Sequence, residues 1–295
     1  MPELPEVETI ARQLRPRLLQ RRFDAVEIFW ARTVEQPSPA EFSHELLGAS
    51  VREVGRRGKF LSFGLSTGKT WLVHLRMTGK FRIQDGGAGS DASTSTEEDP
   101  HVRARFQLDD GTRLDYSDPR KFGRFYLVED PRSITGALGP EPLSPEFTAV
   151  WLSTALKDRR GEIKRLLLDQ NFLAGLGNIY VNEALWRAGI HPLRAANSLT
   201  ADEATRLHGT IVGVLREGVE NGGATLSDRQ YVYPNGDSGQ QQLHLAVYDR
   251  AGECCPRCGY ILERIVQAQR STYFCPLCQP RPYPDRVESG TEREG

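Results

Sequence analysis

The sequence predicts an α+β protein with a β-sandwich in its N-terminal half, helices in its C-terminal half and a small metal-binding module near its end. Apolar and polar residues alternate through 23–83 and again through 103–128, with glycine-containing turns between the runs, which is typical of half-buried strands. Apolar residues then recur at helical spacing at about 146–158, 162–170, 179–188 and 201–220. Two cysteine pairs after these patterns predict the metal-binding module.

The N-terminal segment predicts a reactive amine followed by a helix. The chain begins MPELPE, and initiator methionine is commonly removed before proline, which would leave the secondary amine of Pro2 free. Apolar residues recur at helical spacing from Leu4 to Leu18, so a helix is expected to begin directly behind this amine. Such a helix would anchor an end that otherwise frays.

Pro2, Glu3 and Glu6 have the residue types that covalent catalysis at a sugar requires. A secondary amine that attacks a sugar C1′ displaces the base and, after losing its single N–H proton, forms a cationic iminium with C1′. Glu3 and Glu6 would share one face of the helix, so one carboxyl could donate a proton while the other holds the geometry. Paired glutamates in a first helical turn are also explained by the helix dipole alone, and this segment by itself favours that interpretation until the rest of the chain is considered.

A linker and a glycine-rich turn divide the second half of the chain. Proline and glycine are frequent at 131–145, which indicates a linker. Residues 171–178, between the second and third helical patterns, would present backbone N–H groups and Asn178 at a helix start, an arrangement that suits a phosphate. An ordinary helix-loop-helix corner explains the same residues equally well.

The charge of the chain is unevenly distributed. The formal net charge is -1, yet residues 85–99 carry -5 and residues 285–295 carry -2, which leaves +6 on the remainder. A basic body of this kind is typical of proteins that bind nucleic-acid phosphates. The sequence has no apolar run long enough to span a membrane and no signal-peptide pattern, so a cytoplasmic protein is expected.

The cysteines predict a zinc ribbon. Two CxxC pairs are separated by 16 residues and consist of Cys255, Cys258, Cys275 and Cys278. Four thiolate ligands leave no open coordination position, so one Zn2+ per chain is predicted to be structural. The adjacent Cys254 is expected to be a free thiol, with ligand exchange as the alternative. Arg270 lies at the predicted hairpin tip of the ribbon, where it could reach a phosphate.

Five motifs occur in one order along the chain. They are PELPE at the start, HLRMTG at 74–79, DPRKFG at 118–123, the Gly177-Asn178 turn and the four-cysteine ribbon. Together they resemble the bacterial formamidopyrimidine-DNA glycosylases, and the likeness extends from Pro2 to about Gln279. The resemblance implies a helix-two-turn-helix fold for the helical domain and a partner that is double-stranded DNA containing oxidised bases or abasic sites. Nothing in the sequence requires more than a monomer.

The resemblance and the composition of the segments together predict domain boundaries. A catalytic β-sandwich is expected at 2–130 with an acidic insertion at 85–99, a linker at 131–145, a helix-two-turn-helix domain at 146–235, a zinc ribbon with the end of a lesion-capping loop at 236–280, and a disordered tail at 281–295. The insertion and the tail lie outside the family pattern.

The activity implied is that of a bifunctional base-excision enzyme, which removes oxidised purines such as 8-oxoguanine and formamidopyrimidines and then nicks the strand by β,δ-elimination. Pro2 would be the Schiff-base nucleophile and Glu3 the general acid at the sugar, with Glu6 in support. Lys59 would donate a proton in β-elimination and contact a phosphate. Arg270 would hold the phosphate beside the lesion and assist δ-elimination.

The remaining matched positions are DNA contacts. Met77, Arg120 and Phe122 match the residues that enter the base stack where the lesion leaves it. Apolar or planar side chains inserted there offset the stacking and pairing energy that is lost when a base is extruded. The other residues expected at phosphates or near the lesion are His74, His101, Arg159, Lys164 and Asn178.

One segment departs from the family pattern. The capping loop commonly ends in glycine followed by aromatic residues, whereas this chain reads GQQQ at 239–242. The glutamines are expected either to hydrogen-bond a base or to leave it loosely capped, so lesion preference stays open.

Two alternative functions share the scaffold. An endonuclease VIII-like glycosylase for oxidised pyrimidines usually begins PEGPE, so Leu4 favours the purine enzyme. A non-catalytic damage-binding protein needs no terminal amine, so the joint presence of Pro2, Glu3, Lys59 and Arg270 disfavours it.

Overall fold

The chain forms two compact units in the computed structural model, which describes residues 2–85, 99–225, 233–236 and 238–281. Unit 1 comprises Met1–Ser144, Gln170–Gly177 and Leu215–His244, and unit 2 comprises Pro145–Asp169, Asn178–Val214 and Leu245–Gly295. Residues 170–177 and 215–244 therefore fold with unit 1, although chain order alone placed them in or beside the helical domain. Most of the predicted acidic insertion, the interior of the capping loop and the predicted tail beyond residue 281 lie outside the described residues.

Unit 1 contains two β-sheets. The strand order of the first is β1 (Phe23–Ile28), β7 (Val102–Leu108), β8 (Arg113–Ser117) and β6 (Lys80–Gln84). The strand order of the second is β2 (Val34–Gln36), β9 (Arg124–Val128), β5 (Thr70–His74), β4 (Phe60–Leu65) and β3 (Val51–Arg57). The described strand pairs are antiparallel except for β2 with β9. The predicted sandwich is thus confirmed.

An aromatic cluster lies at the centre of the core of unit 1. Trp71 of β5 stacks on Phe63 of β4 with 4.7 Å between ring centroids, and lies 4.8 Å from Phe106 of β7. Trp71, Phe63 and Phe106 are all 0% exposed. Rings from both sheets therefore meet in one buried cluster, which makes the sandwich a firm support for the loops at its edge.

The helices of unit 1 include the predicted N-terminal helix. They are α1 (Leu4–Leu18), α2 (Pro39–Leu46) and α3 (Arg132–Thr135). The apolar stripe of α1, from Leu4 to Leu18, is at most 1% exposed, which confirms the helical spacing. Burial of a leucine-sized side chain stabilises a fold by about 1.5–3 kcal/mol, so this stripe anchors the N-terminal end firmly.

Unit 2 contains helices and one hairpin. The elements are α4 (Ala149–Leu156), α5 (Ile163–Leu167), α6 (Asn178–Ala188), α7 (Ala201–Glu220), β10 (Glu263–Gln267) and β11 (Arg270–Phe274). The last residues of α7, from Leu215 onward, belong to unit 1. Each of the four helical patterns read from the sequence corresponds to one of these helices. Within the described ranges, none of the helices combines the length and apolar character needed to cross a bilayer.

Two buried side chains of α6 hold the neighbouring loop and hairpin of unit 2. Asn182 accepts a hydrogen bond from the backbone of Tyr273 in β11 at 3.1 Å. Glu183 accepts from three consecutive backbone N–H groups, those of Ala246, Val247 and Tyr248, each at 2.9 Å. Both side chains belong to residues that are 1% exposed. Because buried carboxylates require such partners, Glu183 fixes the segment that leads into the zinc ribbon.

Candidate active site and nucleic-acid interface

Glu6 holds the backbone at the N-terminal end of α1. Its Oε2 accepts from the backbone N–H of Glu3 at 2.8 Å, and its Oε1 accepts from the backbone N–H of Ala224 at 2.7 Å. Glu3 and Glu6 are each 3% exposed. Because both oxygens accept backbone hydrogen bonds, the Glu6 carboxylate fixes the segment that follows Pro2, which is the geometry that its predicted supporting role requires.

The Glu3 carboxyl lies against a glycine-rich segment of the same unit. A Cβ placed on Gly177 would lie 2.2 Å from Cδ of Glu3, so only glycine leaves room for the carboxyl. Gly175 has a φ of +82°, and its carbonyl accepts from the backbone N–H of Leu4 at 3.0 Å. The end of the glycine-rich turn that the sequence associated with phosphate therefore packs directly on the N-terminal segment. Sequence reasoning missed this contact.

Lys59 contacts the same glycine-rich segment. It occupies the two-residue turn between β3 and β4, where Gly58 has a φ of +56°. Lys59 is 5% exposed, and its Nζ donates to the carbonyl of Leu176 at 2.9 Å. Glu141 accepts from the backbone N–H of Gly58 and so braces the turn. Glu3 and Lys59 thus contact the adjacent residues Gly177 and Leu176.

Pro2 is buried directly before the cap of α1, while Met1 lies outside the described residues. Four of the five residues expected to be catalytic, Pro2, Glu3, Glu6 and Lys59, belong to unit 1. Contacts of Glu3 and Lys59 with residues 176–177 bring two acid-base side chains to the end of the chain that carries the proline. With Met1 removed, Pro2 would supply a secondary amine in the same unit as a carboxyl and an ammonium, which are the components of covalent and acid-base catalysis.

His74, at the end of β5, is a neutral hydrogen-bond donor. Burial lowers the pKa of its imidazole from 6.5 to about 3, and the positive charges of Arg76 and Lys59 act in the same direction. Nδ1 accepts from the backbone N–H of Arg76 at 3.1 Å, so the proton of the neutral ring is on Nε2. Its Nε2–H could bind a phosphate without adding positive charge to the site.

The three predicted stacking residues lie on two exposed loops of unit 1. Met77, between β5 and β6, is 43% exposed, and Phe122, between β8 and β9, is 48% exposed. The guanidinium of Arg120 lies over the Phe122 ring, 4.8 Å from its centroid. Both loops thus present a large apolar side chain at the surface, which is what a wedge in a base stack requires.

The hairpin of β10 and β11 presents Arg270 at its tip. Gln267 pairs with Arg270 across the tight turn Ala268-Gln269, in which both residues have positive φ angles of 49° and 59°. Asn178 Nδ2 donates to the carbonyl of Ser271 at 3.0 Å, which fixes the backbone next to Arg270. Arg270 itself is exposed.

Lys164 is placed differently from the expectation. It is 0% exposed, and its ammonium donates to the carbonyl of Ser271 at 3.0 Å and to Thr272 Oγ1 at 2.6 Å. A wholly buried ammonium is not presented to a phosphate in this structure. Any effect of Lys164 on DNA is therefore expected to pass through the hairpin that carries Arg270.

Two other predicted contacts, His101 of unit 1 and Arg159 of unit 2, are exposed. Nδ1 of His101 lies 3.4 Å from a guanidinium nitrogen of Arg103. Arg159 lines a surface cavity of about 520 Å³ together with Arg160 and Arg165. His101 and Arg159 are thus accessible to DNA. Three further arginines lie near them, Arg103 beside His101 and Arg160 and Arg165 beside Arg159.

The four predicted zinc ligands converge in unit 2. The sulfur atoms of Cys255, Cys258, Cys275 and Cys278 all lie within 4.8 Å of one another. A tetrahedral zinc with Zn–S bonds of about 2.3 Å requires sulfurs roughly 3.8 Å apart, so this cluster fits the ion. Cys254 is exposed and lies outside the cluster. A structural zinc ribbon is thus confirmed.

The glutamine run binds the base of its own loop in unit 1. Gln241 is 1% exposed, and its Oε1 accepts from Asn221 Nδ2 at 2.8 Å. Gln242 Oε1 accepts from the backbone N–H of Thr225 at 2.9 Å, and its Nε2 donates to the carbonyl of Gly239 at 2.7 Å. These two side chains therefore join the two ends of the loop, whereas Gln240 is exposed, and how the run caps a base stays a prediction.

The two units define a class of protein. One carries a buried proline, two carboxyls and a lysine on a β-sandwich, and the other carries an arginine at the tip of a zinc ribbon. This is the architecture of the DNA glycosylases that attack with an N-terminal amine.

Comparison with known proteins identifies the family. Residues 1–125 match the family model for the formamidopyrimidine-DNA glycosylase N-terminal domain, residues 138–230 match the H2TH domain of the same enzymes, and residues 252–281 match a zinc finger found in FPG and IleRS. A formamidopyrimidine-DNA glycosylase of Chloroflexus aggregans is 47% identical over 282 residues, which cover 95% of this chain and 98% of that protein. The chain belongs to the formamidopyrimidine-DNA glycosylase family.

Two solved structures share the fold closely. The Fpg protein of Thermus thermophilus superposes with a TM-score of 0.84 at 43% identity, covering 95% of this chain and all of that one. A Lactococcus lactis Fpg variant in complex with DNA containing Fapy-dG superposes with a TM-score of 0.84 at 35% identity and the same coverage. The fold and the family inferred from the sequence are thus confirmed.

Proposed function

We propose that the protein is a bifunctional DNA glycosylase and abasic-site lyase of base-excision repair, acting on oxidised purines in duplex DNA. The observation that carries the proposal is the convergence of Glu3 and Lys59 on residues 176–177, at the end of the chain that begins with a buried proline. Membership of the family, together with the Fapy-dG complex of the Lactococcus relative, supports the purine substrate.

The chemistry begins at the Pro2 nitrogen. Its lone pair forms a bond to C1′ of the damaged nucleotide, the glycosidic bond breaks, and the base leaves with the bonding electrons and takes up the proton that the Pro2 nitrogen gives up. Glu3 protonates the ring oxygen of the sugar, which opens the ring and leaves an iminium between Pro2 and C1′. The Glu3 carboxyl suits this step because Glu3 directly follows Pro2, Gly177 leaves room for its carboxyl, and Glu6 holds the backbone N–H between the two residues.

Strand cleavage follows from the iminium. Loss of a proton from C2′ expels the 3′-phosphate, and a second elimination expels the 5′-phosphate, after which water hydrolyses the imine and restores the amine. Lys59 is proposed to supply the proton in the first elimination, and Arg270 is proposed to neutralise the departing phosphate in the second. Each departing phosphate carries developing negative charge, which a fixed ammonium or guanidinium stabilises.

The alternatives are weaker on two observations. The stretch that departs from the family pattern uses Gln241 and Gln242 to close the base of the loop, so these two side chains are engaged within the protein and are not turned toward a pyrimidine. A non-catalytic scaffold has no use for a buried carboxyl that requires glycine at position 177. We also propose a monomer that acts in the cytoplasm on chromosomal DNA.

Borohydride trapping tests the proposal. Protein shown by mass to lack Met1 is incubated with a duplex containing one 8-oxoguanine opposite cytosine, with Pro2→Gly in parallel. We expect a covalent adduct that maps to Pro2 and is absent from the variant. An adduct on thymine glycol alone would keep the mechanism and change the substrate class. No adduct on either lesion or on an abasic site would exclude the enzyme and leave a binding protein.

A further inference from the structure

Asp118 lies beneath the two loops that carry the exposed stacking residues. It is 1% exposed and follows β8, in the same connection as Arg120 and Phe122. Its Oδ1 accepts a hydrogen bond from the hydroxyl of Thr78, which follows Met77 in the other loop. Its Oδ2 accepts from the backbone N–H of Gly123 at 2.8 Å. One carboxylate therefore joins both loops.

Thr78 connects its own loop to the loop of Arg120 through two hydrogen bonds of its hydroxyl. Its hydroxyl donates to Asp118 and accepts from the backbone N–H of Arg120 at 3.3 Å. The hydroxyl thus has a donor contact and an acceptor contact in the loop opposite its own. Serine also carries a hydroxyl on Cβ and could make both hydrogen bonds, whereas valine has the shape of threonine but no hydroxyl.

Tyr116 supports both loops from below. It is 0% exposed, and a Cβ on Gly79 would lie 2.3 Å from its hydroxyl oxygen, while a Cβ on Gly123 would lie 1.7 Å from it. Each loop therefore returns to the sheet through a glycine that rests on the same hydroxyl. Burial, followed by the nearby charge of Asp118, raises the pKa of Tyr116 well above 10, so the hydroxyl stays protonated.

Both loops are also held in the same unusual backbone conformation. Arg76, directly before Met77, has a φ of +54°, and Lys121, directly before Phe122, has a φ of +60°. Left-handed conformations at residues other than glycine are uncommon and persist where the surrounding structure determines them. The backbone N–H of Arg76 donates to His74 Nδ1 at 3.1 Å and that of Lys121 donates to the carbonyl of Asp118 at 3.2 Å, and the hydrogen bonds of Asp118 and Thr78 hold the residues that follow.

We propose that Asp118 and Thr78 are a positioning pair that makes the loops of Met77 and Phe122 enter the duplex as one unit. The inference rests on the proposed function, because a wedge is needed only where a base is extruded. Two loops that moved separately would each lose conformational entropy on insertion, which would reduce the free energy available to replace the lost stacking. Loops already joined avoid that loss.

The test compares Thr78→Val with Thr78→Ser on two substrates. Thr78→Val should lower kcat/KM on 8-oxoguanine opposite cytosine by about tenfold, the effect of losing a hydrogen bond to a charged group, and should change kcat/KM on an abasic site by less than about twofold. An abasic site has no base to unstack, so its cleavage depends little on the wedge. Thr78→Ser, which keeps the hydroxyl, should restore the ratio of the two rates.

A double-mutant cycle tests the coupling itself. Thr78→Val and Phe122→Ala lie in different loops, so their effects on 8-oxoguanine should be less than additive if the loops act together. Asp118→Asn should reproduce the loss, because an amide cannot accept at both positions. Asp115→Asn is the matched control: Asp115 is also buried in β8 but pairs with Arg105 and Arg113, so its variant should lower the Tm without changing the substrate ratio.

Equal loss on both substrates, additive effects in the cycle, or an unchanged ratio for Thr78→Val would each overturn the proposal. If Asp118→Asn fails to fold, the Thr78 pair still decides. Failure of the proposed function is distinguishable, because the parent protein would then cleave neither substrate. Activity in the parent with an unchanged ratio in Thr78→Val refutes the positioning pair alone.

Discussion

The carboxyl of Glu3 packs against Gly177 so closely that a Cβ at position 177 would lie 2.2 Å from Glu3 Cδ. These two residues are far apart in the sequence. Their contact places the acidic group of Glu3 on the glycine-rich segment, and the carbonyl of Leu176 in the same segment accepts a hydrogen bond from Lys59. A glycine far from the terminus thereby determines where the first carboxyl of the chain lies.

Gly177→Ala is expected to displace the Glu3 carboxyl and to lower base excision by roughly a hundredfold, the effect of a misplacement of about 1 Å at a catalytic group. Single-turnover excision of 8-oxoguanine measures it. Gly209→Ala is the control, because a Cβ there has nothing within 4 Å. That substitution in α7 should leave excision unchanged and stabilise the fold by about 0.5–1 kcal/mol. Full activity in Gly177→Ala would show that Glu3 is not required in this position.

The low pKa of His74 predicts a stability that depends on pH. Its folded pKa, about 3, lies below the unfolded value of 6.5, so between these values the unfolded chain binds a proton that the folded chain does not. The contribution of His74 to the free energy of unfolding is therefore complete above pH 6.5 and is lost as pH falls toward 3. The free energy of unfolding changes by about 1.4 kcal/mol per pH unit for one proton. Urea unfolding across mildly acidic to neutral pH should show a smaller loss for His74→Gln than for the parent. An imidazole that titrates near its ordinary pKa by NMR would contradict this.

Arg270 and His74 should differ in their effect on the salt dependence of DNA binding. Removal of one charged phosphate contact reduces the slope of log affinity against log salt by about 0.9. Arg270→Ala should therefore flatten the slope by about one unit. His74→Gln should weaken binding with the slope unchanged, because the imidazole is neutral. Fluorescence anisotropy between about 50 and 200 mM salt measures both. A flatter slope in His74→Gln would mean that the imidazole is charged in the complex.

Removal of the zinc should disable the hairpin that carries Arg270. Cys275→Ser removes a ligand whose residue is 0% exposed, so the ribbon is expected to lose its metal and DNA affinity to fall by at least about tenfold. Metal analysis should give one zinc per chain in the parent and in Cys254→Ser, since Cys254 lies outside the cluster. Retention of zinc in Cys275→Ser, or its loss in Cys254→Ser, would reassign the ligands.

Features that depend on near neighbours in the chain were predictable. The stripe of α1 repeats within three or four residues, and the CxxC pairs bring their own ligands together, so spacing alone determines both. The sandwich and the four later helices were likewise readable from periodicity. The order of five motifs along the chain was specific enough to indicate the family.

The burial and the hydrogen-bond partners of several site residues could not be predicted from the sequence. Lys164 was expected at a phosphate or near the lesion, yet it is wholly buried on Ser271 and Thr272. The glutamines at 241 and 242 join the ends of their own loop. The Asp118 link between two loops has no signature beyond its place in the DPRKFG motif, because nothing local indicates that Thr78 lies opposite.

The sequence by itself determined which chemical groups the protein has: a secondary amine behind Met1, two glutamates at the start of one helix, four thiols at zinc spacing and an arginine at a hairpin tip. Only the tertiary structure decided how these groups are used. It seats Glu3 on Gly177, makes His74 neutral and joins the loops of Met77 and Phe122 through Asp118. The physical reason is range: spacing and propensity act over a few residues, whereas burial and hydrogen bonding depend on which distant segments pack together.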